Sequence, residues 1–111
     1  MAKLTVIYWR DIPAQVIGQR GRKRHKQELP KRFAEAIDRA AMRAGRGSSK
    51  AYLDDWRRES RPCADDMEQA VSEAATRLDA QFPDDFLEAV VKAGGVDQSK
   101  SSGSDQNQKS E

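Results

Sequence analysis

The sequence predicts an α+β domain: an N-terminal antiparallel β-hairpin packed by about four α-helices, with a disordered polar C-terminal tail. Three observations predict it. β-branched and aromatic residues crowd the first stretch of chain, "KLTVIYWR". Apolar residues then recur at helical spacing between Pro and Gly punctuation. The last stretch, "VDQSKSSGSDQNQKSE", holds no aromatic and one aliphatic residue. Strands that come first and helices that follow segregate into an α+β layout with a small antiparallel sheet.

In the first strand Leu4, Val6 and Tyr8 alternate with Thr5, Ile7 and Trp9. Both faces carry large apolar groups, so both need cover. "RDIP" supplies turn chemistry, because Pro13 fixes its own φ and has no N–H to give. "AQVIGQ" is the second strand, and Gly18 and Gly21 flank its exit into a basic link. A lone two-stranded hairpin is marginal in water, so the helices must pack on it, and its edges stay open unless something covers them.

The first helix is expected from Pro30, a first-turn proline, to a stop at Gly45. Phe33, Ile37, Ala40, Ala41 and Ala44 form its apolar stripe. Ser48 or Ser49 would cap a shorter helix, "KAYLDDWRRES", which presents Tyr52, Leu53 and Trp56 and ends at Pro62. In the third, Asp65 and Glu68 have capping-box spacing, and Met67, Val71, Ala74, Leu78 and Phe82 line one face before Pro83. The last runs from Asp84 to Gly94 with Phe86, Leu87, Val90 and Val91 inward. Residues 1–95 thus form one domain, and residues 96–111 are too polar to repay the entropy of ordering.

One cysteine, Cys63, excludes an intramolecular disulfide, and one histidine, His25, leaves little for a metal site. The N-terminal apolar run is short and meets Arg10 and Asp11, so it reads as a strand and not as a signal peptide. No stretch has the ~20 apolar residues of a membrane span, and the cytoplasm is the expected location. The net charge of +2 conceals an asymmetry: residues 1–62 hold 16 Lys and Arg against 7 Asp and Glu, residues 63–111 hold 4 against 11. Halves of opposite sign attract within a fold and still leave a basic face for acidic partners.

The densest charge lies at Arg20, Arg22, Lys23, Arg24 and Lys26, the candidate polyanion-binding residues; with Lys31, Arg32 and Glu28 they give +6 over thirteen residues. Such density can neutralise phosphates. No aromatic interleaves it, so a solvated or protein-docking link competes with nucleic-acid binding. His25 has no neighbouring Asp, Ser or Cys to make it a base, and the acids after Cys63 oppose a thiolate. Asp54–Asp55, Asp65–Asp66 and Asp84–Asp85 point about 100° apart on a helix, so adjacency does not make them converge. "GQRGRK" lacks the spacing of a phosphate loop. No catalytic set, metal or cofactor is expected.

Aromatics beside arginines are what protein interfaces favour. Tyr8, Trp9, Tyr52, Trp56, Arg57 and Arg58 are therefore the candidate partner-binding residues, the competing reading being that the aromatics simply seal the small sheet.

"LTVIYWRDIPAQVI", the basic link, "LPKRFAEAIDRAAMRAG" and "YLDDWRR" together resemble a small bacterial domain family named virulence factor, the domain also associated with conserved virulence factor C. The likeness covers residues 3–92. It implies a bacterial cytoplasmic accessory domain, linked to enzymes of folate-dependent methyl transfer, and it carries over no catalytic residues. The expected function is a non-enzymatic adaptor that binds a partner protein or a second copy through the hairpin edge; the alternative is a small nucleic-acid-binding protein acting through residues 20–32.

Overall fold

A strand with apolar groups on both faces needs neighbours, and the first strand has one on each side. The computed structural model describes residues 2–46 and 49–97. The order along the chain is β1 (Ala2–Trp9), β2 (Ile12–Arg20), β3 (Lys23–Glu28), α1 (Lys31–Arg43), α2 (Ser49–Asp54), β4 (Trp56–Cys63), α3 (Met67–Gln81) and α4 (Asp84–Lys92). The strands form one sheet in the order β3-β2-β1-β4, with every pairing antiparallel. The α+β class, the N-terminal antiparallel pairing and the four helices hold.

Two segments differ from expectation. Residues 23–28, expected within an exposed link, form an edge strand on β2. They carry no apolar residue because an edge strand needs only backbone pairing, and charged side chains protect its free side. Residues 56–63, expected to continue the second helix, pair with β1 as the other edge. The chain leaves α2 at Asp54, and Pro62 sits where proline is tolerated in a sheet, on an edge strand. β1 is thus central, and the open edge expected on the hairpin is filled.

Strand alternation assigns the faces. A Cβ on Gly18 would meet Val71 Cγ2 at 2.8 Å and Met67 Cβ at 3.2 Å, so this side of the sheet lies against α3. Leu4 pairs with Gly18 and Val6 with Val16, which puts all four on that side. Lys3, Thr5, Ile7 and Ile17 point the other way. Between Ile7 and Tyr8 the register slips by one residue, with Ala14 as the extra residue on β2.

One core joins the sheet to α1, α3 and α4, with Val16, Phe33, Val71 and Val90 among its most buried members. Met67, Val71, Ala74, Leu78 and Phe82 are all buried, as their spacing predicts. Asp66, rather than Asp65, caps α3 by accepting from the Gln69 amide at 3.2 Å. The oppositely charged halves meet across the helices: Arg32 pairs with Asp79 (2.6 Å) and Asp84 (3.3 Å), and Arg39 with Glu88 (2.7 Å).

The turn between β1 and β2 ties these parts together. Arg10 adopts φ 53°, and its amide donates to Asp55 O (3.0 Å). Its guanidinium donates to Asp55 Oδ2 (3.2 Å) and Gly94 O (3.0 Å) and lies over the Trp9 ring at 5.2 Å. Asp11 donates its amide to Gly95 O (2.9 Å) and accepts from Arg57 Nη2 (3.3 Å) and the Asp97 amide (2.7 Å). The docked chain therefore reaches Asp97; the rest of the expected disordered tail, residues 98–111, lies outside the described residues.

Two substitutions probe this packing. Gly18→Ala is expected to cost about 1–3 kcal/mol by forcing α3 off the sheet. Trp9→Ala, emptying a site of 0% exposure, is expected to cost about 3–5 kcal/mol. Urea denaturation reads both, and a Trp9→Ala midpoint equal to wild type would contradict the core assignment.

Candidate functional site

The expected partner-binding residues do not form one patch. Trp9 is core: it has no exposed surface, and its Nε1 donates to Tyr52 O at 2.9 Å. Tyr52 stacks on it (5.9 Å between centroids, 24° between planes), and Trp56 meets Tyr52 edge-on at 5.7 Å. This aromatic chain fastens α2 to the end of the sheet, so Trp9 has nothing to offer a partner and Tyr52 and Trp56 offer only part of their surface. Leu53, expected on the same apolar face, is 64% exposed because α2 stops one residue later and the chain reverses into β4.

Tyr8 and Arg57 sit elsewhere. The Arg57 guanidinium lies 4.4 Å from the Tyr8 ring centroid, donates to Arg10 O (2.8 Å) and pairs with Asp11 and Glu59. Tyr8 stands at one end of a groove of about 370 Å³ between β4 and α3. Leu4, Val6 and Tyr8 from β1 and Ala74 and Leu78 from α3 give it an apolar floor; Glu59, Arg61, Arg77 and Gln81 give it a polar rim. The groove exists because α3 lies over β2, β3 and β1, and β4 extends beyond it. Among the described residues neither Arg61 nor Arg77 forms an ion pair. The helix expected over "KAYLDDWRRES" hides the strand that places Arg61, and Arg77 lies off the apolar stripe of Ala74 and Leu78, so its place on the groove follows only from the fold.

Strand alternation also divides the basic run. Arg20 and Lys23 fall on the α3 side, around a recess they share with Asp65, Asp66 and Glu68, and Arg20 Nη1 donates to Asp65 O at 3.2 Å. Arg24 and Lys26 fall on the opposite side, paired with Gln19 and Ile17. Arg22 is exposed at the β2–β3 turn. His25 is half-buried on the α3 side beside Gly18. Cys63 is a half-buried free thiol at the end of β4. Among the described residues no group of three or more His, Cys, Asp or Glu is placed to hold a metal ion, and no helix is long and apolar enough to cross a membrane.

The model of the family described as virulence factor matches residues 7–91, and the chain belongs to that family. The matched span runs from within β1 to the last turn of α4, so it takes in β4 and all of the groove's lining except Leu4 and Val6. No curated protein and no solved structure matches the chain.

Burial is the main influence that raises the Tyr8 phenol above its ordinary value; the Glu59 carboxylate adds to it, and Arg57 and Arg61 oppose it. Tyr52 is raised too, by burial and then Asp38. A folded-state value above the unfolded one stabilises the fold below the unfolded pKa of about 10, and that contribution is lost as pH rises through the folded value. Tyr8→Phe is therefore expected to make the alkaline fall in melting temperature shallower. An unchanged alkaline slope would show that Tyr8 ionises as freely in the fold as in the unfolded chain.

Proposed function

We propose that this member of the virulence factor family is a non-enzymatic accessory module of the bacterial cytoplasm. It captures a partner protein by accepting an extended acidic segment as a further strand on the outer edge of β4. Enzymes of folate-linked methyl transfer are the first candidates for that partner.

The observation that carries the reading is the pairing of a terminal strand with an adjoining groove. β4 is last in the sheet order, so its outer backbone groups have no neighbouring strand among the described residues. Strand addition uses such an edge for affinity and adjoining pockets for specificity. Here the pocket has the apolar floor of Leu4, Val6 and Leu78, and the two arginines without ion-pair partners, Arg61 and Arg77, favour carboxylates above that floor.

Pro62 fixes which backbone groups are on offer. It stands opposite Lys3 of β1 and has no N–H to give, so its backbone turns outward. Two-residue alternation turns Ser60 and Arg58 outward as well, and leaves Arg57, Glu59 and Arg61 bonded toward β1. The 2.8 Å contact of Thr5 Oγ1 with Ser60 Oγ fits the close side-chain approach of a pair without mutual backbone bonds.

Ser60→Pro removes an outward N–H and leaves the β1 ladder intact. The variant also loses the Thr5–Ser60 hydroxyl bond, so it is expected to fold with a modestly lower melting temperature and to lose a partner that wild type retains in a nuclease-treated native pull-down. Arg61→Glu is expected to weaken the same capture by charge repulsion. Retention of the partner by a folded Ser60→Pro protein would overturn strand addition.

A further inference from the structure

The face of the sheet turned away from α3 is a second surface, distinct from the β4 groove. We infer that it binds nucleic acid through the phosphate backbone, using Lys3, Arg24, Lys26 and Arg58. These four cations come from β1, β3 and β4, and none is near the others in the sequence except Arg24 and Lys26. The ladder assembles them. Arg24 stands in one row with Gln19, Lys3 and Pro62; Lys26 with Ile17, Thr5 and Ser60; Arg58 with Ile7, Gln15 and Glu28. Neighbouring strands lie about 4.8 Å apart, so Arg24 and Lys3 stand roughly 10 Å apart across Gln19.

Two observations make this surface more than a wet edge. The ion pairs among the described residues use Arg10, Lys31, Arg32, Arg39, Arg46 and Arg57. The fold has thus supplied carboxylates to arginines about the helices and the β1–β2 turn, and has left all four of these exposed cations without one. Glu28 is the only acid in the three rows.

The second observation is what lies between the charges. Gln15, Gln19 and Ser60 can bond to phosphate and sugar, whereas Ile7 is half-covered, Ile17 is 7% exposed, and Thr5, equally buried, is bonded to Ser60 Oγ. The large exposed apolar residues, Met42 and Leu53, are on helices. The aromatic on this face, half-buried Trp56 beside Ile7, Gln15 and Arg58, is held edge-on against Tyr52 at the end of the sheet, and the face has no apolar wedge for a membrane. A polar, strongly cationic surface is the character of a nucleic-acid interface. With no recognition helix, and with Trp56 held against Tyr52 at the end of the sheet, contact is to the backbone and ignores sequence.

Anisotropy of a short labelled DNA duplex, titrated between about 50 and 200 mM salt, tests this. Four neutralised phosphates predict a slope of log K against log salt of about −3.6, the same for two unrelated sequences. Arg24→Ala with Lys26→Ala is expected to reduce the slope by about 1.8, and Glu28→Gln to tighten binding. Lys50→Ala, on α2, is expected to change nothing. If the double variant loses its circular dichroism signature, Lys3→Ala and Arg58→Ala carry the same test, each removing about 0.9 from the slope. The inference falls if there is no binding at the low-salt end, or if the folded variants leave the slope intact. It falls equally if polyglutamate, or vesicles containing phosphatidylserine, displace the duplex as well as unlabelled duplex does at equal charge.

Discussion

The fold depends on holding one residue in an unfavourable backbone conformation. Arg10, at φ 53°, occupies a region that Gly or Asn normally takes, and a side chain there costs on the order of 1–3 kcal/mol. The surroundings over-determine it. Its amide, carbonyl and guanidinium are all engaged, by Asp55, Arg57 and Gly94, and the guanidinium lies over Trp9. No glycine could make the side-chain half of these contacts. The turn thereby joins the start of the sheet, the α2–β4 link and the end of α4. Gly95 completes the clamp: at φ +95°, with Trp9 Cζ3 2.7 Å from where a Cβ would sit, it admits no side chain.

The helices were legible because their burial is written in a single period. Phe33, Ile37, Val71 and Leu78 face the core at helical spacing, and no other reading of those segments buries them together. β3 and β4 were not legible because edge strands are specified by their neighbour and not by themselves. "KRHKQE" and "WRRESRPC" carry no period-2 apolar pattern. The information about β4 lay in β1, whose two apolar faces mark a central strand. The candidate surfaces were obscured for the same reason: reading residues 20–26 as a link made their charges one patch, and reading residues 56–61 as helix hid both the β4 edge and the place of Arg58.

Charge in this molecule is sorted by pairing more than by amount. Arg32 and Arg39 hold α1 against α3 and α4, and Asp55 accepts from both Arg10 and Arg46 (2.9 Å). Exposed pairs of this kind contribute little to stability individually. Their larger effect is to remove arginines from the inventory available to a ligand. Among the described cations outside ion pairs, Arg61 and Arg77 fall in the groove and Lys3, Arg24, Lys26 and Arg58 on the outer face.

The alternation of β3 has a consequence for how this chain can vary. Its two sets of charges are kept apart by the length of the connection through Gly21 and Arg22 and by the anchor that follows the strand, buried Leu29 with its amide on Ala14 O. A single-residue insertion or deletion there slips the register by one and exchanges the sets, carrying Arg24 and Lys26 to the crowded side beside α3. β3 itself has no apolar burial to lose, so only Leu29 beyond its end resists that slip. The length of this connection is thus held by where charges must point, and a change in it would redraw the electrostatic surface of a domain whose core had not moved.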